Sequence, residues 1–246
     1  MNNQTACSND TVPDVVEKFA LDPGWGHFEV FAVERWFTDR VFAASVGRNQ
    51  TTFGWGVGAS VLLPVVPQYL ELQGIVMAGQ GIGRYGPGAL PDVTIAPNGS
   101  LAPIPVTHIF LGAVAHPWMG LELYAYAGRE QANAKAWNVG GIPLGYGNPL
   151  FDNSGCFTEN PASGPAEPND PITKGTCAAN TRSSNEITVG FWQDLYKGDL
   201  GRLVLGGQYE YIKRNTFPGL VNGTIAPGPN PVEQVIMTSI RYYPFQ

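Results

Sequence analysis

In this 246-residue chain, charged and amide side chains recur at every second position of otherwise apolar stretches. Glu71 and Gln73 form one such set, Glu122, Tyr124 and Tyr126 a second, and Glu186, Asp194, Arg202, Gln208, Glu210 and Arg241 extend the series toward the C-terminus. Alternate side chains of a strand share a face, so these residues mark a wet face. Groups spaced this way serve electrostatics rather than bond-making: they set the charge and width of a water-lined surface. Five acids against two arginines make that surface mildly cation-preferring, and a plainly solvated wall is the simpler reading of each residue.

Other chemistry finds little support. His108 and His116 stand eight residues apart on one expected strand, about 27 Å at strand spacing, which is too far to share a metal, and His27 stands alone beside a turn. The stretch "GQGIGRYG" at 79–86 is followed by "PGALPD", which cannot open a helix, so it reads as a flexible loop rather than a phosphate cradle. No Gly-x-Ser-x-Gly or Ser/His/Asp arrangement is visible, so no catalytic residue, cofactor or metal ligand is assigned and no enzyme is expected. A formal net charge of -6 without a basic stripe excludes nucleic acid as a partner. Asn3, Asn9, Asn49, Asn98 and Asn222 begin N-x-[ST] sequons, consistent with exposed loops. Cys156 and Cys177 bracket a polar, proline-rich stretch that a disulfide would pin in an oxidising compartment, a free or metal-binding pair being the alternative; Cys7 is left without a partner.

The elements that must carry the wet face are strands. Charged residues are only 14% of the chain against 31 glycines and 21 prolines, which describes a turn-rich all-β protein whose surface faces something other than water. No apolar run reaches the length of a membrane helix. Nine segments have the length of a membrane-spanning strand: 13–21, 27–37, 52–64, 69–79, 106–115, 119–129, 186–196, 202–213 and 233–243. The first two alternate poorly and rest on length and spacing; the others set an apolar face against a polar or small one. This pattern fits a soluble β-sandwich as well as an outer-membrane barrel. The connections separate the two. "DPGWG", "PVVPQ", "HPWMG" and "KGDLG" are short, and they alternate with longer ones beginning at "TDRVFAASVGRNQ", as in barrels with tight periplasmic turns and long outer loops.

Aromatic residues agree with the barrel. Trp25, Tyr69, Trp118 and Tyr196 sit at or beside the short turns, and Tyr242, Tyr243 and Phe245 at the C-terminus, where they would form an interfacial girdle. The ending "VIMTSIRYYPF" resembles the closing strand of bacterial outer-membrane barrels, whose last aromatic is recognised by the assembly machinery; Phe245 takes that place, although Gln246 follows it. "DPGWGHFEVFAVERWFTDR", "LELYAYAGRE" and "GFWQDLYKGDLGRLVLGGQYEY" further resemble the C-terminal half of general, DcaP-like porins of Gram-negative bacteria such as acidobacteria. The resemblance implies an integral outer-membrane channel for small hydrophilic solutes, contacts with outer-membrane lipid, a trimer, and a barrel of about 16 strands. A closed barrel displaying partner-binding loops and a soluble carbohydrate-binding sandwich are the alternatives.

Counting back nine strands from a periplasmic C-terminus makes the first strand run inward and places residues 1–12 outside. Bacterial barrels have an even strand number, so residues 1–246 are expected to be the C-terminal portion of one barrel, with N-terminal strands and a signal peptide lacking. In "TTFGWGVGASVLL", Phe53, Trp55, Val57, Ala59, Val61 and Leu63 are expected to face lipid. The opposite side, Gly54, Gly56, Gly58 and Ser60, is expected to be lumen wall left clear, as open pore or as space for an inserted loop; for such insertion the loop at 130–185 is long enough.

Overall fold

A computed structural model describes residues 12–43, 46–157 and 177–245. Cys7, the sequons at Asn3 and Asn9, Gln246 and the interior of the Cys156–Cys177 loop lie outside the described residues. The elements are β1 (Val15–Leu21), β2 (His27–Ala43), β3 (Val46–Val66), β4 (Leu70–Gln80), β5 (Val93–Ile95), β6 (Leu101–Pro103), β7 (Pro105–Trp118), β8 (Leu121–Ala132), β9 (Lys135–Val139), β10 (Ile142–Tyr146), β11 (Thr181–Gly198), β12 (Gly201–Thr216), β13 (Gly219–Val221), β14 (Thr224–Ala226) and β15 (Val232–Tyr243). Nine of them form one antiparallel meander, in the order β1-β2-β3-β4-β7-β8-β11-β12-β15, and every neighbouring pair is also consecutive among these nine. These correspond to the nine segments marked in the sequence, the first two by length and spacing and the other seven by period-2 alternation. The other six pair as small hairpins within the long connections.

One connection differs from its expectation. "TDRVFAASVGRNQ" is not a long loop: β2 runs on to Ala43 and pairs with β3 from Val46, in a hairpin that extends both strands. Thr38 and Thr51 join their hydroxyls at 2.9 Å, and the Arg40 guanidinium donates to Asn49 Oδ1 at 3.0 Å. Polar residues here serve cross-strand bonding, and no glycine or proline interrupts the strand before Gly47.

Register sorts side chains into two faces. Directly paired residues share a face, so the chain of pairs Gln73↔Gly112, Gly112↔Tyr126, Tyr126↔Thr188 and Thr188↔Glu210 runs across five strands on one side. The opposite side is apolar from edge to edge. Phe19, Val30, Val57, Val76, Leu111, Leu123, Val189, Tyr209 and Ile236 represent all nine strands on it, and all are exposed, Ile236 at 78%. Burial cannot account for this face.

Packing occurs on the polar side instead, near the long connections. Val33, Met77, Val106 and Ala132 from four strands meet Ile82, Leu90 and Ile104, together with Tyr146 and Phe217. Ile82 and Ile104 are 0% exposed. The segment 81–104 is thus the lid of the only large buried cluster among the described residues. Its ends are tied by Gly81 N–H donating to Ile104 O, and Ile104 N–H to Asp92 O, each at 2.9 Å.

The glycine side of β3 is therefore not left clear. A Cβ at Gly56 would come within 2.9 Å of Ile82 and 3.1 Å of Val33, and one at Gly58 would enter the Phe31 ring. Rings lying across glycines recur elsewhere: Tyr126 over Gly112, Tyr124 over Gly190, Trp192 over Gly206 and Phe191 over Gly207, each ring and glycine directly paired in register. A bare backbone gives an aromatic a flat surface, which recovers contact that the glycine alone would forfeit.

Candidate functional site

The polar face has a strand framework with side chains fixed by their neighbours. All the residues marked in the sequence for a wet face, Glu71, Gln73, Glu122, Tyr124, Tyr126, Glu186, Asp194, Arg202, Gln208, Glu210 and Arg241, fall on this one face by register. Toward the short turns they surround a cavity of about 810 Å³ lined by Glu122, Trp192, Asp194, Arg202, Arg241 and Tyr243 among others. Arg202 Nε donates to Asp194 Oδ1 at 2.7 Å, joining the two ends of the β11–β12 hairpin. Arg241 lies 3.9 Å over the Trp192 ring, a cation–π contact. Farther along, the Tyr124 hydroxyl donates to Gln208 Oε1 at 2.6 Å, and the Gln208 amide in turn donates to Glu210. Tyr124, Tyr126 and Phe110 form a row with centroids 5.3 and 5.5 Å apart.

Beyond this row the segment 81–104 covers the face, held by residues that the alternation does not single out. Arg35, on β2, bonds Asp92 Oδ2 through Nη1 and Asp14 Oδ2 through Nε, both at 2.9 Å, and its side chain is only 11% exposed. Asp92 also accepts the backbone N–H of Arg84 at 2.9 Å, and the Tyr85 hydroxyl donates to Asp14 at 3.0 Å. Burial first, then the Asp14 carboxylate, pushes the Tyr85 phenol up from its ordinary value, which keeps it a donor. Glu130, buried and paired in register with His108, accepts the Gly88 N–H at 2.9 Å, while His108 Nε2 lies 3.1 Å from Ile82 O. A carbonyl only accepts, so that histidine nitrogen carries the proton. His108 thus anchors a backbone turn.

The sequence missed this anchorage. "GQGIGRYGPGALPD" reads as flexible, yet Ile82 and Leu90 are isolated apolar residues among glycines and prolines, and that is the signal for a segment pinned at a few points. Among the described residues of 133–180, Tyr146 joins the same cluster: its hydroxyl donates to Thr181 O at 2.6 Å, and burial pushes its phenol up to about 12. Among the described residues, segment 81–104 supplies the cover, with Tyr146 of the longer connection packed against the same cluster.

Trp25, Tyr69, Trp118, Tyr196, Tyr242 and Phe245 all lie at or beyond the short-turn ends of strands and are exposed. At the opposite end Cys156 and Cys177 form a disulfide. No helix among the described residues is long and apolar enough to cross a membrane, which leaves strands unaddressed.

Neither the protein-family models nor the curated proteins gave a match to the sequence. Among solved structures, the fold is similar to the outer membrane channel DcaP of Acinetobacter baumannii, with a TM-score of 0.56 at 13% identity. The likeness covers 94% of this chain and 52% of that one, so the chain spans about half the length of the channel it resembles.

Proposed function

We propose that the chain is the C-terminal portion of an integral outer-membrane porin, giving small hydrophilic solutes a water-filled route across the membrane by passive diffusion. The observation that carries this reading is the apolar face exposed across all nine strands. A contiguous apolar surface of that extent marks contact with a partner or with lipid, and on β3 it spans Phe53 to Leu63, the length of one membrane crossing. A sandwich would bury this face under a second sheet, and the nine-stranded sheet here packs on its other side. The fold likeness to an outer membrane channel supports the same reading.

In this reading the polar face lines the lumen, the aromatic residues at the short turns sit at the periplasmic interface, and segment 81–104 is folded inward as the constriction. The edges β1 and β15 are completed by further strands of the same barrel, of about 16 in all, and β15 with Phe245 is the element offered to the assembly machinery. Trimers follow from the porin likeness. The test is single-channel conductance of the full-length protein in a planar bilayer: discrete ohmic steps are expected, and a folded barrel that never conducts overturns the channel. The coverage by segment 81–104 favours one second reading, a closed barrel whose outer loops bind partners. That reading gains if removing the segment's anchors is needed before any current flows.

A further inference from the structure

The apolar face ends abruptly toward the long connections, and the residues beyond its border differ from those at the other end. Across β8, β11 and β12, the last apolar row is Ala127, Ile187 and Tyr211, aligned by register. The next row on that face is Arg129, Asn185 and Lys213, and the one after it Gln131, Ser183 and Asn215. Two cations therefore flank one amide, about 10 Å apart at two strand spacings, one step of about 7 Å above apolar side chains. At the short-turn end the corresponding border carries Trp118, Tyr196 and Tyr242 instead.

The row is built rather than scattered. Ser183, 3% exposed, accepts at its hydroxyl from the Asn215 amide at 3.0 Å and the Asn185 amide at 3.4 Å. Asn185 also donates to Lys213 O at 3.3 Å. Beside this network Arg129, Arg182, Ser183 and Asn215 line a cavity of about 610 Å³ whose far wall is the segment 225–230. Arg129 donates to the neutral Gln131 at 2.6 Å, and among the described residues no carboxylate lies within ion-pair distance of Arg129, Arg182 or Lys213. Three cations with no carboxylate partner among the described residues make this border a positive patch in a chain of net charge -6, which favours an anionic ligand.

We propose that this border is a docking site for the phosphate-bearing headgroup of an outer-leaflet glycolipid. The inference rests on the membrane reading above: the acyl chains lie on Leu111, Ala127, Ile187 and Tyr211, while Arg129, Lys213 and Arg182 hold the phosphate. Guanidinium and ammonium groups donate charge-assisted hydrogen bonds to phosphate oxygens, and the amides of Asn185 and Asn215 fix the platform beneath them. The location commits the source. A free anion has no reason to select Arg129 and Lys213, which sit on the lipid side of the sheet one row above an apolar belt, with Arg182 beyond them at the irregularity of β11.

The test uses full-length protein extracted from membranes in mild detergent, with bis-phosphorylated lipid A, its dephosphorylated form and inorganic phosphate as probes, read by native mass spectrometry. Wild type is expected to hold the bis-phosphorylated lipid at least about tenfold more tightly than the dephosphorylated one, since each charge-assisted contact is of the order of a decade in Kd. Arg129→Gln, Arg182→Gln and Lys213→Gln together abolish that difference, and Lys197→Gln, at the other end of β11, leaves it intact. Equal retention of both lipids by wild type, or unchanged retention by the triple variant, overturns the proposal, as does full competition by inorganic phosphate, which identifies a free-anion site. Heat-modifiable migration of every variant is measured alongside. Wild type that never behaves as a folded membrane barrel sinks the parent reading instead, an outcome distinguishable from loss of lipid selectivity in a folded one.

Discussion

The two ends of the polar face follow opposite rules although one sheet carries both. Near the short turns, Glu122, Asp194, Arg202 and Arg241 surround open space, and their contacts are with one another and with Trp192. Near the long connections, the same face turns apolar at Val33, Met77 and Val106 and is sealed by Ile82 and Ile104. The difference teaches that alternation tells which residues share a face and says nothing of what will cover it. Charge decides where the face stays open. Glycine decides where something else fits.

The comparison breaks most severely if the sealed end is unlatched. Arg35→Ala removes the shorter of the two guanidinium contacts of the nearly buried Asp92 and leaves it Arg84 Nε at 3.4 Å, a loss of at most about 3–5 kcal/mol, the cost of fully breaking a buried pair. Segment 81–104 is then expected to leave the wall, seen as faster tryptic cleavage after Arg84 and as larger, noisier single-channel current. Unchanged proteolysis would show that the apolar contacts suffice to hold the segment.

A smaller effect separates the two faces at adjacent positions. Leu123→Arg places a cation on the exposed apolar face and is expected to cost about 2–4 kcal/mol in denaturant unfolding from lipid vesicles. Glu122→Arg, one residue away on the polar face, is expected to stay within about 1 kcal/mol and to move the reversal potential toward anions. Equal costs at the two positions would erase the distinction between lipid and lumen sides.

The finest comparison is between glycines. Gly58→Ala drives a methyl group into the Phe31 ring and is expected to cost about 1–3 kcal/mol. Gly74→Ala meets nothing nearer than 3.4 Å and should be neutral or stabilise by about 0.5–1 kcal/mol, because alanine loses less chain entropy in a strand. Thermal unfolding of the two variants in the same detergent measures both.

Most of the strand framework was legible in the sequence. Length and spacing located β1 and β2, and period-2 alternation the other seven strands of the sheet, because an apolar face alternates with a polar or small one in segments such as "LELYAYAG". Strand ends were less visible: Thr38, Asp39 and Arg40 look like loop residues by composition, and only their cross-strand partners at Gln50, Asn49 and Thr51 show that they continue the ladder. The covering segment was hardest to see. Its hold depends on Arg35, Asp14, Glu130 and His108, four residues scattered over 117 positions, and spacing along the chain carries no trace of a contact that only the folded sheet brings together.

The rings that rest on glycines also act as register marks. Tyr124 faces Gly190, and a slip of two residues along β11 would set it against Thr188 or Trp192, either of which occupies the space that the ring needs. The same holds for Trp192 against Gly206 on the next pair of strands and for Phe31 against Gly58 two hairpins earlier. Stagger summed around a sheet is the shear, and shear with strand number fixes a barrel's diameter. In the barrel proposed above, these small and large residues, set opposite each other strand after strand, would thus gauge the width of the hole.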